Sequence, residues 1–259
     1  MKAWDRVIKA RHTSRPTTTK YIQNITDEFF ELHGDRAFKD DEAIIGGLGK
    51  IGDIKLTIIG QEKGTTIKEK LKRNFGMSSP EGYRKALRLM KQAEKFKRPI
   101  LCIVDTSGAF CGVEAEERGQ GESIARNLFE MSGITVPILT IIIGEGGSGG
   151  ALALAVSDEV WMMENSVYSI LSPEGFATIL YKDVSLASQV ADDMKITAQD
   201  LNELEVIEKI IEEADVEIDR TEQDMMSKLK SDIIAFYRRY QELSGEEIVN
   251  RRYMRYRKF

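Results

Sequence analysis

The sequence predicts an α/β protein built on a parallel sheet, and three observations carry that expectation. Two stretches repeat the order apolar run, glycine-rich loop, helix: residues 99–104 lead into 105–112, and residues 137–143 lead into 144–150. Both runs are continuously apolar rather than alternating, as strands covered on two faces are. Between residues 43 and 62 two further apolar runs flank Gly52-Asp53, the signature of a hairpin.

Taken in order, the first 40 residues read as helical. Tyr21, Ile22, Ile25, Phe29, Phe30 and Leu32 give a helical stripe that His33-Gly34 ends. After the hairpin, Ser79-Pro80-Glu81 opens a helix running to Phe96, with an N-cap serine, a first-turn proline and a glutamate at the positive dipole end. The helix of the first glycine unit runs to Met131, and that of the second starts at Ala151. Offset by 38 residues, the two units align six identities (Pro99/Pro137, Ile100/Ile138, Leu101/Leu139, Ile103/Ile141, Gly108/Gly146, Gly112/Gly150) over fourteen positions. That is too short to prove duplication, but it sets two glycine loops on the same side of the sheet as successive turns of one spiral. Residues 159–163 and 167–171 read as strands, and Ser172-Pro173-Glu174 starts another helix. Thr197 to Asp200 resembles a capping box with aspartate in place of glutamate. Residues 219–243 form a long charged helix, and a basic helical tail follows. No Gly/Ser-rich linker divides the chain, so one domain is expected over 1–259: a helical arm at 1–40, a core at 41–215 and C-terminal helices at 216–259.

Composition removes several function classes. A hydrophobic fraction of 42% with 31% charged residues is that of an ordinary globular protein, and a net charge of −5 gives no general attraction to nucleic acid. Residues 2–20 and 251–258 are basic and 203–224 acidic, for which solvated helix faces are the ordinary reading. The N-terminal residues hold no apolar signal core, and no stretch approaches the ~20 apolar residues of a membrane span. Two cysteines, Cys102 and Cys111, cannot build a four-ligand zinc site or a disulfide framework. A cytoplasmic location is the expectation, with Cys102 a small buried residue of a strand.

The segment Gly144 to Ala151 fits three motifs. As a dinucleotide fingerprint, Gly144-x-Gly146-x-x-Gly149 would pair with Glu164 as ribose ligand, but it does not open the first βα unit, and Gly47-x-Gly49-x-x-Gly52 matches equally well inside the hairpin. As a nucleophile elbow, Gly146-x-Ser148-x-Gly150 makes Ser148 an acyl-transfer nucleophile. Its histidine should follow the serine, yet the only histidines are His12 and His33. The third reading is an oxyanion hole of backbone amides, where glycines let N–H groups approach a ligand with no Cβ in the way. It asks for no nucleophile, metal or histidine. The same glycines would also serve plain tight packing of strand on helix.

Read whole, residues 143–153 resemble the signature loop of acetyl-CoA carboxylase carboxyltransferase alpha subunits. The similarity extends to Asn74-Phe75-Gly76-Met77 with residues 80–90, to residues 116–120 and 124–128, to Ser172-Pro173-Glu174-Gly175, and to Asn250-Arg251-Arg252-Tyr253. Members of that family often have proline, tyrosine and proline where Ser107, Phe110 and Cys111 stand; Gly108, Ala109 and Gly112 are kept. Many carry a longer N-terminal arm. The resemblance implies a crotonase-like spiral of ββα units with helical N- and C-terminal extensions. It implies transfer of a carboxyl group from carboxybiotin, carried on a biotin carboxyl carrier protein, to acetyl-CoA, giving malonyl-CoA for fatty-acid biosynthesis. Gly149 and Gly150 would face the biotin oxygen with Gly146 and Gly147 alongside, and Gly108, Ala109, Gly112 and Ser148 would line the substrate site. The resemblance further implies an α2β2 assembly whose beta subunit supplies zinc and most of the acetyl-CoA site. It adds a biotin carboxylase partner that uses ATP, and no cofactor held by this chain itself.

Two clusters remain. Lys63, Lys68, Lys70, Lys72 and Arg73 form a basic segment, for which solvation competes with phosphate or carrier binding. Glu114, Glu116 and Glu117 could act as the acid/base pair of a crotonase-type hydratase or isomerase, but a helix start explains them. A non-catalytic assembly subunit is the competing class.

Overall fold

The structure is a computed structural model and describes residues 1–214 and 221–259. In chain order its elements are α1 (Ala3–Ala10), α2 (Thr18–Ile25), β1 (Glu28–Glu31), β2 (Ile44–Ile51), β3 (Ile54–Gln61), α3 (Ile67–Lys72), α4 (Pro80–Lys95), β4 (Ile100–Thr106), α5 (Val113–Glu117) and α6 (Gln120–Gly133). Then follow β5 (Ile138–Gly147), α7 (Ser148–Leu152), β6 (Glu159–Met163), β7 (Val167–Ser169), α8 (Pro173–Tyr181), α9 (Ala187–Asp193), α10 (Ala198–Glu203), β8 (Lys209–Ile211), α11 (Glu222–Tyr240) and α12 (Gly245–Tyr256). Among the described residues no helix is long and apolar enough to cross a membrane.

One mixed sheet organises the chain, in the order β1-β2-β3-β4-β5-β6-β8, with β7 pairing the far end of β5. The β2–β3 hairpin turns at Gly52-Asp53 as expected, with Ile51 opposite Ile54. From β3 onward the pairs are parallel. The offset of 38 residues seen in the sequence is the pairing register of β4 on β5: Ile100 lies opposite Ile138 and Val104 opposite Ile142. Every residue of β4 is buried. Its alternate side chains feed two cores, Leu101 and Ile103 toward α2 and α11, Ile100, Cys102 and Val104 toward α4 and α6. The sheet thus separates two helical layers, the crotonase-like α/β class.

Four local expectations need correction. The helical stripe ends at Ile25; Phe29 and Phe30 lie in β1, paired antiparallel with Gly49 and Leu48, so residues 1–40 are not wholly a helical arm. Strand pairing wins where β1 lies close against the glycines of β2: a Cβ on Gly47 would stand 2.2 Å from the Phe30 carbonyl oxygen. Ser79 precedes α4, but its side chain makes no cap; Asp41 Oδ2 instead accepts from the Ser79 N–H at 2.7 Å. The second glycine segment is not a loop: Gly144 to Gly147 continue β5, paired with β7, and the helix starts at Ser148 rather than Ala151. Residues 167–171 shorten to a strand of three. The helix starts at Ser172 and Thr197 are capped as read, with the Thr197–Asp200 box closed on both sides. The expected start of the long helix at 219, and the boundary at 215/216, lie outside the described residues; α11 begins at Glu222.

Among the polar side chains that tie the C-terminal helices back to the sheet, Arg252 is the most buried. Arg252 is 1% exposed, pairs with both oxygens of Asp158 (3.1 and 2.8 Å) and donates to the carbonyls of Met131, Ile134 and Val136. Asp158 also accepts from the Ile138 N–H, so α12 and the start of β5 share one carboxylate.

Candidate active site

The site forms where β4 and β5 end. After Val104 the register slips, and Thr106 lies opposite Gly146. Gly108 and Gly146, aligned in the sequence, are therefore not partners. Instead the turn into α7 comes down on the first loop. A Cβ on Gly147 would stand 2.1 Å from the Ser107 carbonyl oxygen, and one on Gly150 would stand 2.5 Å from the Gly108 carbonyl carbon and 2.6 Å from the Ala109 nitrogen. Only glycine allows this backbone contact. Gly108 has φ +155° with nothing within 4 Å of its Cβ position, and Thr106 Oγ1 accepts from its N–H at 3.1 Å. Gly112 is not brought to this contact; its carbonyl starts α5, accepting from Ala115 and Glu116.

Gly149 differs from Gly150. Its Cβ position meets only the Ile124 side chain, at 3.5 Å, and the residue is partly exposed. Both residues occupy the first turn of α7, where N–H groups lack intrahelical acceptors. Among the described residues neither amide donates to an acceptor in the chain. Two main-chain donors at a helix start are thus left unengaged beside the loop contact, Gly149 partly exposed and Gly150 buried, as an oxyanion hole requires.

Ser148 takes φ +50°, left-handed for a residue with a side chain, and is exposed at the strand–helix turn. This is the backbone of a nucleophile elbow, so the geometry alone does not dismiss the serine. Among the described residues no histidine base stands beside it. Ser148 borders a cleft of about 210 Å³ whose wall includes Val7, Arg11, Ser107, Glu145, Gly146 and Ile170; its titratable residues are Arg11 and Glu145. His12 lies instead over another depression with Asn165 and Glu213, and its Nδ1 is 2.7 Å from Ser14 Oγ. His33 sits beside Asp40.

Beneath the glycines runs a chain of charges that sequence reasoning missed. Lys63 Nζ lies 2.8 Å from Asp105 Oδ1 and 2.9 Å from Glu145 Oε2; Arg11 Nε is 2.7 Å from Glu145 Oε1, and Arg11 also pairs with Glu174 at the start of α8. Gly144 leaves room for this: a Cβ there would stand 2.5 Å from Asp105 Oδ1. Burial pushes the Glu145 carboxyl up, and Lys63 and Arg11 more than offset it, so it titrates below the usual glutamate range. Burial likewise lowers the Lys63 ammonium, and Asp105 and Glu145 outweigh it, raising its pKa. Of the basic segment, then, Lys63 is half-buried and paired, Lys72 pairs with Glu42, and Lys68 is exposed. No window of sequence links residues 11, 63, 105, 145 and 174.

Other candidates resolve simply. Glu114, Glu116 and Glu117 are exposed on α5, away from the cleft wall. Cys102 is buried, its thiol pushed up to about 12 by burial; Cys111 is exposed on the first loop. Gln120 Nε2 holds that loop, donating to the Ser78 and Phe110 carbonyls at 2.8 Å each. Gly144 and Gly146 lie in a strand rather than in the phosphate-facing turn a dinucleotide fingerprint needs. Among the described residues no group of three histidine, cysteine or carboxylate side chains is placed to hold a metal ion.

Fold and site together define a crotonase-like protein that presents main-chain donors, with no nucleophile and histidine base paired among the described residues. Known proteins agree. The family model described as acetyl co-enzyme A carboxylase carboxyltransferase-like matches residues 1–259, and the chain belongs to that family. It is 62% identical over 212 residues to the acetyl-coenzyme A carboxylase carboxyl transferase subunit alpha of Clostridium acetobutylicum, covering 82% of this chain and 77% of that one. It is 52% identical over 257 residues to the beta/alpha carboxyl transferase protein of Clostridium tetani, covering 99% of this chain but 45% of that one. Among solved structures, transcarboxylase 12S superposes with TM-score 0.69 at 17% identity, over 90% of this chain and 44% of the other. The beta subunit of P. aeruginosa geranyl-CoA carboxylase gives 0.68 at 16% identity, over 95% and 45%. The chain spans less than half the length of these two structures, and at such identities they show the fold alone.

Proposed function

We propose that this chain is the alpha half of a biotin-dependent acetyl-CoA carboxyltransferase, moving a carboxyl group from carboxybiotin on a carrier protein to acetyl-CoA to give malonyl-CoA for fatty-acid biosynthesis. The observation that carries this reading is the pair of unengaged amides at Gly149 and Gly150, held beside Gly108 and Ala109 in a chain of this family. Biotin supplies a ureido group that carries the carboxyl and becomes more negative at oxygen as the carboxyl leaves. The Gly149 and Gly150 N–H groups would donate to that oxygen, and one such donor is worth roughly 2.7–4 kcal/mol in the transition state. Gly146 and Gly147 bring β5 to the point where α7 can turn; Gly108, Ala109 and Ser148 shape the approach, while Gly112 starts α5. The open cleft, with no histidine among its lining residues and Glu145 held in ion pairs, supports a site completed by a beta subunit, in an α2β2 assembly that also serves the biotin carboxyl carrier protein and an ATP-using biotin carboxylase. One carboxyltransferase alpha domain over residues 1–259, working in the cytoplasm, belongs to the same reading. The relative that joins beta and alpha in one chain supports the partnership.

The test is co-purification with a zinc-ribbon beta partner, followed by decarboxylation of malonyl-CoA with free biotin as acceptor. Activity in the mixture and none in either subunit alone is expected. Efficient malonyl-CoA formation by this chain alone, or no activity in the assembled pair, would overturn the reading. The positive φ of Ser148 favours one rival, a serine acyl-transfer enzyme, which predicts covalent labelling of Ser148 by an acyl-enzyme trap.

A further inference from the structure

We propose that Gln61 is a positioning residue of this site, fixing the peptide that follows Gly150 and so aiming the amides before it; the proposal rests on the amide reading above. The argument begins with a gap in α7. The Gly149 carbonyl accepts from the Ala153 N–H at 3.0 Å, the regular helical step, but the next amide, Leu154, turns to the Ala151 carbonyl at 3.0 Å. The helix tightens and the Gly150 carbonyl is passed over. A buried carbonyl left without a donor is costly. Gln61 supplies the donor: its Nε2 reaches the Gly150 oxygen at 2.7 Å across 89 residues of sequence.

Gln61 is held firmly enough to do this. It ends β3, is fully buried, and pairs across the hairpin with Ile44. Its own carbonyl accepts from the Thr18 hydroxyl at the start of α2. The side-chain orientation is fixed by chemistry, since only the NH2 end can donate to a carbonyl. Its Oε1 is left buried with no hydrogen-bond partner, so the side chain keeps a desolvated acceptor for a single outgoing bond. An apolar residue of equal volume would avoid that cost, and a position used for packing alone would hold one. On its other side Gly150 rests on the backbone of Gly108. The peptide is therefore clamped between the first loop and Gln61, and the N–H groups of Gly149 and Gly150 sit immediately before the clamp. Displacement of such donors by about 1 Å can cost on the order of 100-fold in rate.

The experiment uses the complex with the beta partner. Gln61→Met conserves volume and removes the donor; Gln61→Asn keeps an amide that falls short of Gly150. Either variant, once assembled, should lower kcat about tenfold or more while KM for malonyl-CoA stays within about twofold. Hydrogen–deuterium exchange should quicken in the peptide covering residues 148–154 and nowhere else. Unchanged kcat with unchanged exchange overturns the proposal, as does a loss of kcat accompanied by faster exchange throughout the sheet, which marks a core residue only. Quickened local exchange with normal kcat upholds the clamp and counts against the amide reading instead. Gly149→Val in the same assay separates the two, because it blocks the amides without touching Gln61.

Discussion

Gly150 rests on Gly108: a Cβ added to Gly150 would meet the Gly108 carbonyl carbon at 2.5 Å, whereas one added to Gly149 would meet only the side chain of Ile124. Two glycines adjacent in sequence, which the sequence treats as equivalent donors, therefore have different reasons to be glycine. One joins the two loops of the site; the other keeps its approach open.

Substitutions at these positions should separate accordingly. Gly150→Ala forces main chain apart and should cost about 1–3 kcal/mol of stability, as overpacked sites do. Gly149→Ala should leave melting within a few degrees. Gly149→Val, still assembled, should lose ~100-fold or more in kcat, because the branched side chain crowds the donors. Thermal melting beside malonyl-CoA decarboxylation measures both effects, and a Gly150→Ala variant as stable as the parent would contradict the contact.

Ser148 is the direct test between amide and hydroxyl chemistry. Ser148→Ala keeps the Cβ and therefore the same demand on φ, while removing the oxygen. Turnover within about tenfold of the parent is expected, since roughly 2.7–4 kcal/mol resides in each backbone donor and none in the hydroxyl. Loss of all turnover in a folded, assembled enzyme would restore the serine as nucleophile.

Lys63 should matter more for stability than its place in a basic stretch suggests. Lys63→Met leaves Asp105 and Glu145 facing each other with one cation removed, and breaking such a pair costs roughly 3–5 kcal/mol. Urea unfolding of the variant measures it.

The same network sets a pH dependence. Glu145 titrates below its ordinary 4.5 when folded, so its contribution is present above pH 4.5 and is lost as pH falls through the folded value. Lys63 titrates above its ordinary 10.5, so its contribution is present below pH 10.5 and is lost only as pH rises beyond it. The stability difference between parent and Glu145→Gln should be constant from pH 6 to 9 and shrink below about 4.5. A difference that grows on acidification would show that Glu145 is not held ionised.

Neither cysteine should be needed for chemistry. Cys102 is fully buried in β4, so Cys102→Ala removes one sulfur from a packed core, and Cys111→Pro restores the residue common in the family at an exposed position. The double variant should keep most activity. A loss beyond ~100-fold, equivalent to about 2.7 kcal/mol of barrier, would mean that the first loop does something its backbone does not explain.

The sequence by itself determined whatever is encoded within a short window. Gly52-Asp53 fixed the hairpin because a tight turn needs that chemistry between two apolar runs. The offset of 38 residues carried the register of β4 on β5, since two parallel strands buried on both faces present the same apolar sequence to the same layers. The pairs Ser172-Pro173 and Thr197-Asp200 marked helix starts that the structure caps as read. Reading failed where a local pattern was ambiguous, as at Phe29-Phe30, whose helical spacing yielded to the open edge of the hairpin. The site's glycines were legible, but their separate duties were not. The slip after Val104, the descent of α7 onto Ser107 and Gly108, and the return of α1 to bring Arg11 beside Glu145, 134 residues away, were decided only by tertiary structure. Contacts between main-chain atoms and between distant charges leave no period and no spacing in a chain; they exist only once the sheet has brought those residues to one end.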